Sequence, residues 1–466
     1  MRAPSVVLRL RVGDFRLSLQ ANHYFRNMPL TGTFSDPLAR EERNVVRADL
    51  RHEVALVPQA TLTTRFYADY TTQAERTMWT SYFWCFEGQI DGCSFDAQSV
   101  GRWAGVEQLL AIDWNLDAAI VTTIGYDVRG RDTTSRPADS YDIVTGDAPL
   151  SERLPYIHQV TVLGAVFAQQ VIRPWEWLTL NAGARVDMDS LFGVRLSPRA
   201  AAVVTPLEGT SIRASYSEAF RAPTSYELYE NDRTYRILAL GLRPEIVRTG
   251  ELEWQQRFDF VRFGLRGFVA FYEDFIDTRA ATPEEIDDAT ARGDVTAWAD
   301  PSYLVRYDNL ASLRSFGGSL DVSVRPLRGL TIAGSFTYQH TRVGDERIPL
   351  TPEWMGNARI SYELSPDGAS FALAAVFSGA RLAWEDLYAS DLHEVGESLD
   401  LRATVASPIE LVPGLRFRAT VSYSINPYLP YLISAPTEDA PASPVLFYPV
   451  TSSLFGFLGL QYDVDL

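Results

Sequence analysis

The residue types that usually carry catalysis are thinly spread in this chain. The five histidines, His23, His52, His158, His340 and His393, share no spacing that would ligate a metal or pair a base with a nucleophile. No G-x-S-x-G, H-E-x-x-H or phosphate-cradling loop occurs. The sequence therefore points away from an enzyme, a metal site and a bound cofactor. Cys85 and Cys93, the two cysteines, cannot build a disulfide scaffold or a zinc cluster. Around them run Met78, Trp79, Tyr82, Phe83, Trp84 and Phe86. Such aromatics could grip a planar or aromatic ligand, or equally form an aromatic belt at a membrane surface.

Charge narrows the partners. All 42 basic residues are arginine, against 59 acids, for a net charge of −17, which argues against nucleic acid. One stretch, 276–302, holds Asp277, Glu284, Glu285, Asp287, Asp288, Asp294 and Asp300 beside Arg279 and Arg292. A solvated face is the expected reading there, with cation attraction as the alternative. At 46% hydrophobic and 12% aromatic the chain can build an ordered structure. No run of 18 apolar residues exists to form a transmembrane helix.

The elements that must position these residues alternate with a period of two. Leu178, Leu180, Ala182, Ala184, Val186 and Met188 interleave with Thr179, Asn181, Gly183, Arg185 and Asp187. The segments 330–339 and 415–425 repeat the pattern, giving strands with one apolar and one polar face. About nineteen strands are expected, over 5–12, 15–25, 43–56, 59–73, 101–114, 118–130, 156–172, 177–188, 194–205, 210–218, 246–257, 260–275, 313–325, 330–341, 352–364, 369–382, 395–407, 415–426 and 452–466. A helical turn or two fits only 283–292. Tight Pro, Gly and Asp turns alternate with long polar loops at 26–42, 74–100, 131–155, 219–245, 276–312, 342–351, 383–394 and 427–451, save for a short link at 189–193. A propeller would repeat its sequence, and none is found. The layout is that of an all-β, transmembrane, antiparallel up-and-down β-barrel. Its polar face carries Arg185, Arg213, Arg325, Arg416 and Arg418, which suit a wet interior and are placed to guide an anionic ligand or to pair with lumen acids.

Residues 197–260 sharpen the picture. Ser197-Pro198-Arg199 opens the stretch, followed by Ser215-Tyr216-Ser217-Glu218-Ala219-Phe220-Arg221-Ala222-Pro223-Thr224-Ser225-Tyr226-Glu227-Leu228-Tyr229. Then come Leu242-Arg243-Pro244-Glu245 and Gly250-Glu251-Leu252-Glu253. The run resembles the S-x-x-F-R-A-P-(S/T)-x-x-E-L-Y signature and the following P-E element of TonB-dependent receptors, with Ala239-Leu240 where the family has Asn-Pro. Asn426-Pro427-Tyr428 resembles the close of that family's penultimate strand, and Leu466 stands at its usual terminal aromatic. Within the signature, Ser217, Phe220, Arg221, Ala222, Pro223, Glu227, Leu228, Pro244 and Glu245 are expected to shape the barrel rim rather than touch a ligand.

The resemblance implies an outer-membrane receptor of a Gram-negative bacterium that imports a scarce nutrient such as a ferric siderophore, vitamin or saccharide. Implied partners are outer-membrane lipid and lipopolysaccharide, a small-molecule ligand, a plug domain and the TonB complex. A passive porin-like channel or a non-functional fragment is the alternative. About 22 strands are usual in plugged barrels, and no plug or coupling box lies before Val6, so residues 1–466 are expected to be a barrel domain truncated at its N-terminus and unable to power uptake alone. In an oxidising outer loop Cys85 and Cys93 are expected to form a disulfide worth about 2–3 kcal/mol, two free thiols being the alternative.

Overall fold

The computed structural model describes residues 4–27, 40–79, 93–142, 157–229, 231, 236–295, 299–344, 346–348, 351–365, 368–384, 392–409, 414–425, 428–431, 446–449 and 454–462. The strands are β1 (Ser5–Val12), β2 (Phe15–Asn27), β3 (Arg40–Val57), β4 (Ala60–Trp79), β5 (Cys93–Asp113), β6 (Ile120–Asp142), β7 (Ile157–Trp175), β8 (Leu178–Asp189), β9 (Gly193–Val204), β10 (Thr210–Arg221), β11 (Glu245–Arg257), β12 (Val261–Ala280), β13 (Val305–Leu327) and β14 (Leu330–Val343). They continue as β15 (Glu346–Arg347), β16 (Trp354–Glu363), β17 (Ser370–Ser378), β18 (Arg381–Trp384), β19 (Leu392–Val395), β20 (Ser398–Pro408), β21 (Leu415–Ile425), β22 (Tyr428–Tyr431), β23 (Leu446–Pro449) and β24 (Leu454–Tyr462). Two helices, α1 (Ser225–Tyr229) and α2 (Pro283–Ala291), interrupt them.

One 20-stranded antiparallel sheet follows chain order, with β15 as a two-residue flap on β14. Removing that flap leaves the nineteen staves expected from alternation. The ladders β18–β19 and β22–β23 stand apart from it, and among the described residues none joins β24 to β1. Each stave has one apolar face turned outward. On β7, Val160 and Val162 are 63% and 54% exposed, while Thr161, Leu163 and Ala165 between them are buried. On β8, Leu180 is 40% exposed and Asp187 only 3%. Leu180 thus lies on the outward face and Asn181 on the inward one.

Glycines fix the two ends of this design. Gly209 sits at φ +75° in a tight turn, and a Cβ there would strike the Arg257 carbonyl. Inside the lumen a Cβ on Gly105 would meet the Tyr67 ring, whose hydroxyl donates to Asp127 at 2.8 Å. Around it the wall is polar: Arg65 bonds Asp49 at 2.6 Å, and Arg185 bonds Asp187 at 2.9 Å and Asp127 at 3.3 Å. Exposed Trp114, Trp175, Trp177, Phe258 and Phe260 ring the short-turn end, where aromatic side chains suit a membrane interface.

The staves run past their expected ends at the long-loop side. Strand β4 reaches Trp79, β5 starts at Cys93, β6 ends at Asp142, β12 at Ala280, and β13 starts at Val305. A strand of about ten residues spans a bilayer, and these have 20 to 23. Beyond the bilayer both faces are wet, so pairing continues while alternation lapses. The expected strand 369–382 is instead β17 followed by the start of β18.

Candidate functional site

The segments that follow β10 and β12 stand at the long-loop end, and the signature residues lie at the root of the first. Register places Arg221, the last residue of β10, opposite Glu245, the first of β11. The guanidinium grips that carboxylate with two bonds, 2.5 and 2.7 Å, and donates a third to Glu227 at 3.0 Å. Forked Arg–carboxylate pairs of this kind fix geometry as well as charge. Glu245 also accepts the Ile276 backbone N–H at 2.9 Å, so three strands meet at one carboxylate.

Proline at 223 ends the strand, and Thr224 caps the short turn α1. Its hydroxyl accepts the Glu227 N–H at 3.1 Å, and Glu227 accepts the Thr224 N–H at 2.7 Å. Burial pushes the Glu227 carboxyl up, but bonds from Arg221 and Thr224 hold it below the usual carboxylate range. Gln159, on the inward face of β7, takes both ends of α1: it accepts from Ser225 at 2.7 Å and donates to the Tyr229 hydroxyl at 3.1 Å. The α1 turn therefore reaches back across β9 and β8 to β7.

A second clamp stands on the β12–β13 loop. Arg279 donates to both oxygens of Glu285 at 2.8 Å and to Asp308 at 2.8 Å, and Arg306 adds 2.6 Å to Glu285. Glu285 closes a capping box with Thr282 at the start of α2. The Arg279 hydrogen bond chiefly, with the Thr282 amide and Arg306, pulls the Glu285 carboxyl down to about 2. A bulge at Asp274, in the left-handed region at φ +57°, lets its side chain accept from Arg243 at 2.6 Å. Asn309 ties the same two residues, donating to the carbonyls of Arg243 and Asp274.

Under these clamps lie two small apolar clusters. Leu228, Ala239, Leu242 and Ile276 pack with Leu191, Tyr229 and Tyr307; Ile237, Ala289 and Leu304 pack with Ala281, Ile286 and Val295. The loop 219–245 is therefore not simply polar. The acidic stretch is only partly a solvated face, since Glu285 is clamped, Asp294 bonds Arg292 at 2.7 Å and Asp300 caps a 3-10 turn.

The remaining signature side chains divide between faces. Pro223, Leu228 and Pro244 are buried, and Ala222 half-buried between Arg221 and Pro223. Phe220 meets Phe192 edge-on at 5.1 Å, and Ser217 lies opposite Thr249 and Arg199. Trp79 ends β4 opposite Cys93, the first residue of β5. Tyr82, Phe83, Trp84, Cys85 and Phe86 lie outside the described residues, and so does the expected pairing of Cys85 with Cys93. No sequence pattern singles out Gln159, Arg306 or Asn309. The T-x-x-E spacing at Thr224–Glu227 and Thr282–Glu285 was the available signal for both caps. Among the described residues no group of His, Cys, Asp and Glu could hold a metal ion. Among the described residues the mouth thus consists of charge-paired clamps over apolar seams, an arrangement that offers rigidity.

Comparison with known proteins places this architecture. No curated protein matches the sequence. The model described as TonB dependent receptor-like, beta-barrel, matches residues 8–426. Among solved structures, a copper transporter superposes with a TM-score of 0.71 at 14% identity, over 99% of this chain and 71% of that one. A ferric enterobactin receptor mutant from Pseudomonas aeruginosa gives 0.67 at 14% identity, over 90% of this chain and 63% of its own length. A ferric citrate transporter in its unliganded form gives 0.67 at 12% identity, over 98% of this chain and 70% of that one. At such identities these likenesses bear on fold, but the family match covers most of the chain: it belongs to the TonB-dependent receptors and carries their β-barrel.

Proposed function

We propose that the chain is the membrane conduit of an outer-membrane receptor that imports a scarce nutrient, its long-loop end facing outward. The observation that carries this reading is the two-sided wall. Nineteen staves show apolar side chains outward and a charged, water-compatible lumen inward, under a mouth braced by Arg221, Glu227 and Glu245. The solved structures of similar fold are named for copper, ferric enterobactin and ferric citrate, which favours a metal-bearing nutrient such as a ferric chelate. A plug domain and the TonB complex would be its working partners. The signature residues serve in this reading as rim braces, and the aromatics Trp79, Tyr82, Phe83, Trp84 and Phe86 as a ligand-facing loop, stapled by Cys85 and Cys93.

The test is uptake of radiolabelled ferric chelates, vitamins and oligosaccharides by cells carrying or lacking the gene, with the inner-membrane motor intact or deleted. One ligand class should accumulate only when gene and motor are both present. Motor-independent entry of many unrelated small solutes would instead mark a passive pore.

A further inference from the structure

Three arginines face one another across adjacent strands on the outward side of the sheet. Register sets Arg314 of β13 directly opposite Arg342 of β14, and Arg342 directly opposite Arg347 of β15. Directly opposed like charges destabilise a sheet, so such a row calls for anionic company. The same face carries Phe316 two residues from Arg314, and Phe336 and Trp354 further down, all strongly exposed. Trp354 packs on Tyr338 at 4.4 Å and Phe336 at 5.4 Å, and Phe316 lies 5.1 Å from His340. The arginine row thus stands one pleat repeat, about 7 Å, beyond Phe316, the near edge of an aromatic shelf of the kind that marks a membrane interface.

Local partners order the row. Arg342 donates its Nε–H to His340 Nε2 at 2.6 Å, which leaves His340 Nδ1–H to donate to Glu353 at 2.8 Å. Arg347 bonds the other Glu353 oxygen at 2.7 Å. Glu353 offsets part of the charge, while the Arg314 and Arg347 side chains stay exposed. Beside the row a groove of about 320 Å³ is lined by the aromatic rings of Phe336, Trp354 and Phe377 and by Arg347, Glu353 and Arg381. Two strands from Arg314 on the same outward face, Arg248 stands between Glu218 at 2.9 Å and Glu273.

We propose that the Arg314–Arg342–Arg347 row binds the phosphate groups of an anionic glycolipid in the outer leaflet, with the acyl chains on the aromatic shelf. Guanidinium forks suit phosphate oxygens, and the shelf continues without a break into the apolar outward face. The site rests on the outer-membrane reading above, because only a bilayer would bring such a headgroup to this level.

The test uses the purified full-length protein reconstituted in vesicles of phosphatidylethanolamine, with binding of phosphorylated lipid A and of its dephosphorylated form measured by native mass spectrometry. The phosphorylated form should bind at least tenfold more tightly. The R314Q/R342Q/R347Q variant should lose that preference, R314Q alone about threefold of it, and R248Q none. Equal binding of the two lipids by the parent protein, or an unchanged preference in the triple variant, would overturn the site. So would competition by inorganic phosphate alone, which would mark a free-ion site. Insertion is read separately as heat-modifiable gel mobility and protease protection in the vesicles. Failure there would overturn the outer-membrane reading and this site with it, whereas insertion with phosphate-indifferent binding would overturn the site alone.

Discussion

The wall around β7 and β8 and the mouth above β10 to β13 are held together in different ways. In the wall, outward Val160, Val162, Val166 and Leu180 are interchangeable in kind: any apolar side chain meets the need. The hydrogen-bond ladders are carried by the backbone and belong to no particular residue. In the mouth, particular atoms matter. Removing the Arg221 guanidinium takes the arginine partner from both Glu227 and Glu245, and removing Glu285 takes a carboxylate from Arg306 and leaves Arg279 with Asp308. The wall depends on a pattern, and the mouth on individual residues.

That contrast can be broken most forcefully in the wall. Leu180→Arg should destabilise the folded protein by about 2–4 kcal/mol in lipid, and Asn181→Arg by far less, because a charge is costly only on the lipid side. Folding titrations in vesicles measure both, and equal losses would show that the faces are wrongly assigned. In the mouth, Leu304→Ala should cost about 2 kcal/mol, at the low end for a buried leucine because a small seam can collapse. Its effect should be local: amide exchange should quicken over 276–309 and stay unchanged in β7 and β8.

The clamps sharpen the comparison through pH. Glu285 has a depressed pKa, so its clamp stabilises the mouth above the ordinary carboxylate pKa of about 4.3 and loses that contribution as pH falls toward 2. Amide exchange in α2, corrected for intrinsic rates, should rise across that window, and Glu285→Gln should remove the dependence. Smallest of all, Thr282→Ala should cost about 1 kcal/mol through its lost cap, read as faster exchange of the Glu285 amide with the wall unaffected.

This division also explains what could be read in advance. Every stave was legible, because lipid outside and water inside impose a period of two over the spanning part of each strand. The stave ends above the bilayer were not, since at Thr134 and Ser135 both faces are polar and only backbone pairing reveals the strand. The mouth was half legible. Arg221, Glu227 and Glu245 stood out through the family signature, and α2 through its local pattern. Gln159 and Asn309 did not, because each meets partners far along the chain, Ser225 and Tyr229 for one, Arg243 and Asp274 for the other. The Arg314–Arg342–Arg347 row was hidden for the same reason, since only strand register brings its members together.

The central claim is that alternate residues of one strand meet lipid and lumen. Photo-crosslinking from p-benzoylphenylalanine placed singly at positions 180 to 187 of β8, in vesicles containing tagged phospholipid, tests it most directly. Lipid adducts should form at 180, 182, 184 and 186 and be absent at 181, 183, 185 and 187. Adducts at every position, at none, or with a period near four would contradict a membrane-spanning stave.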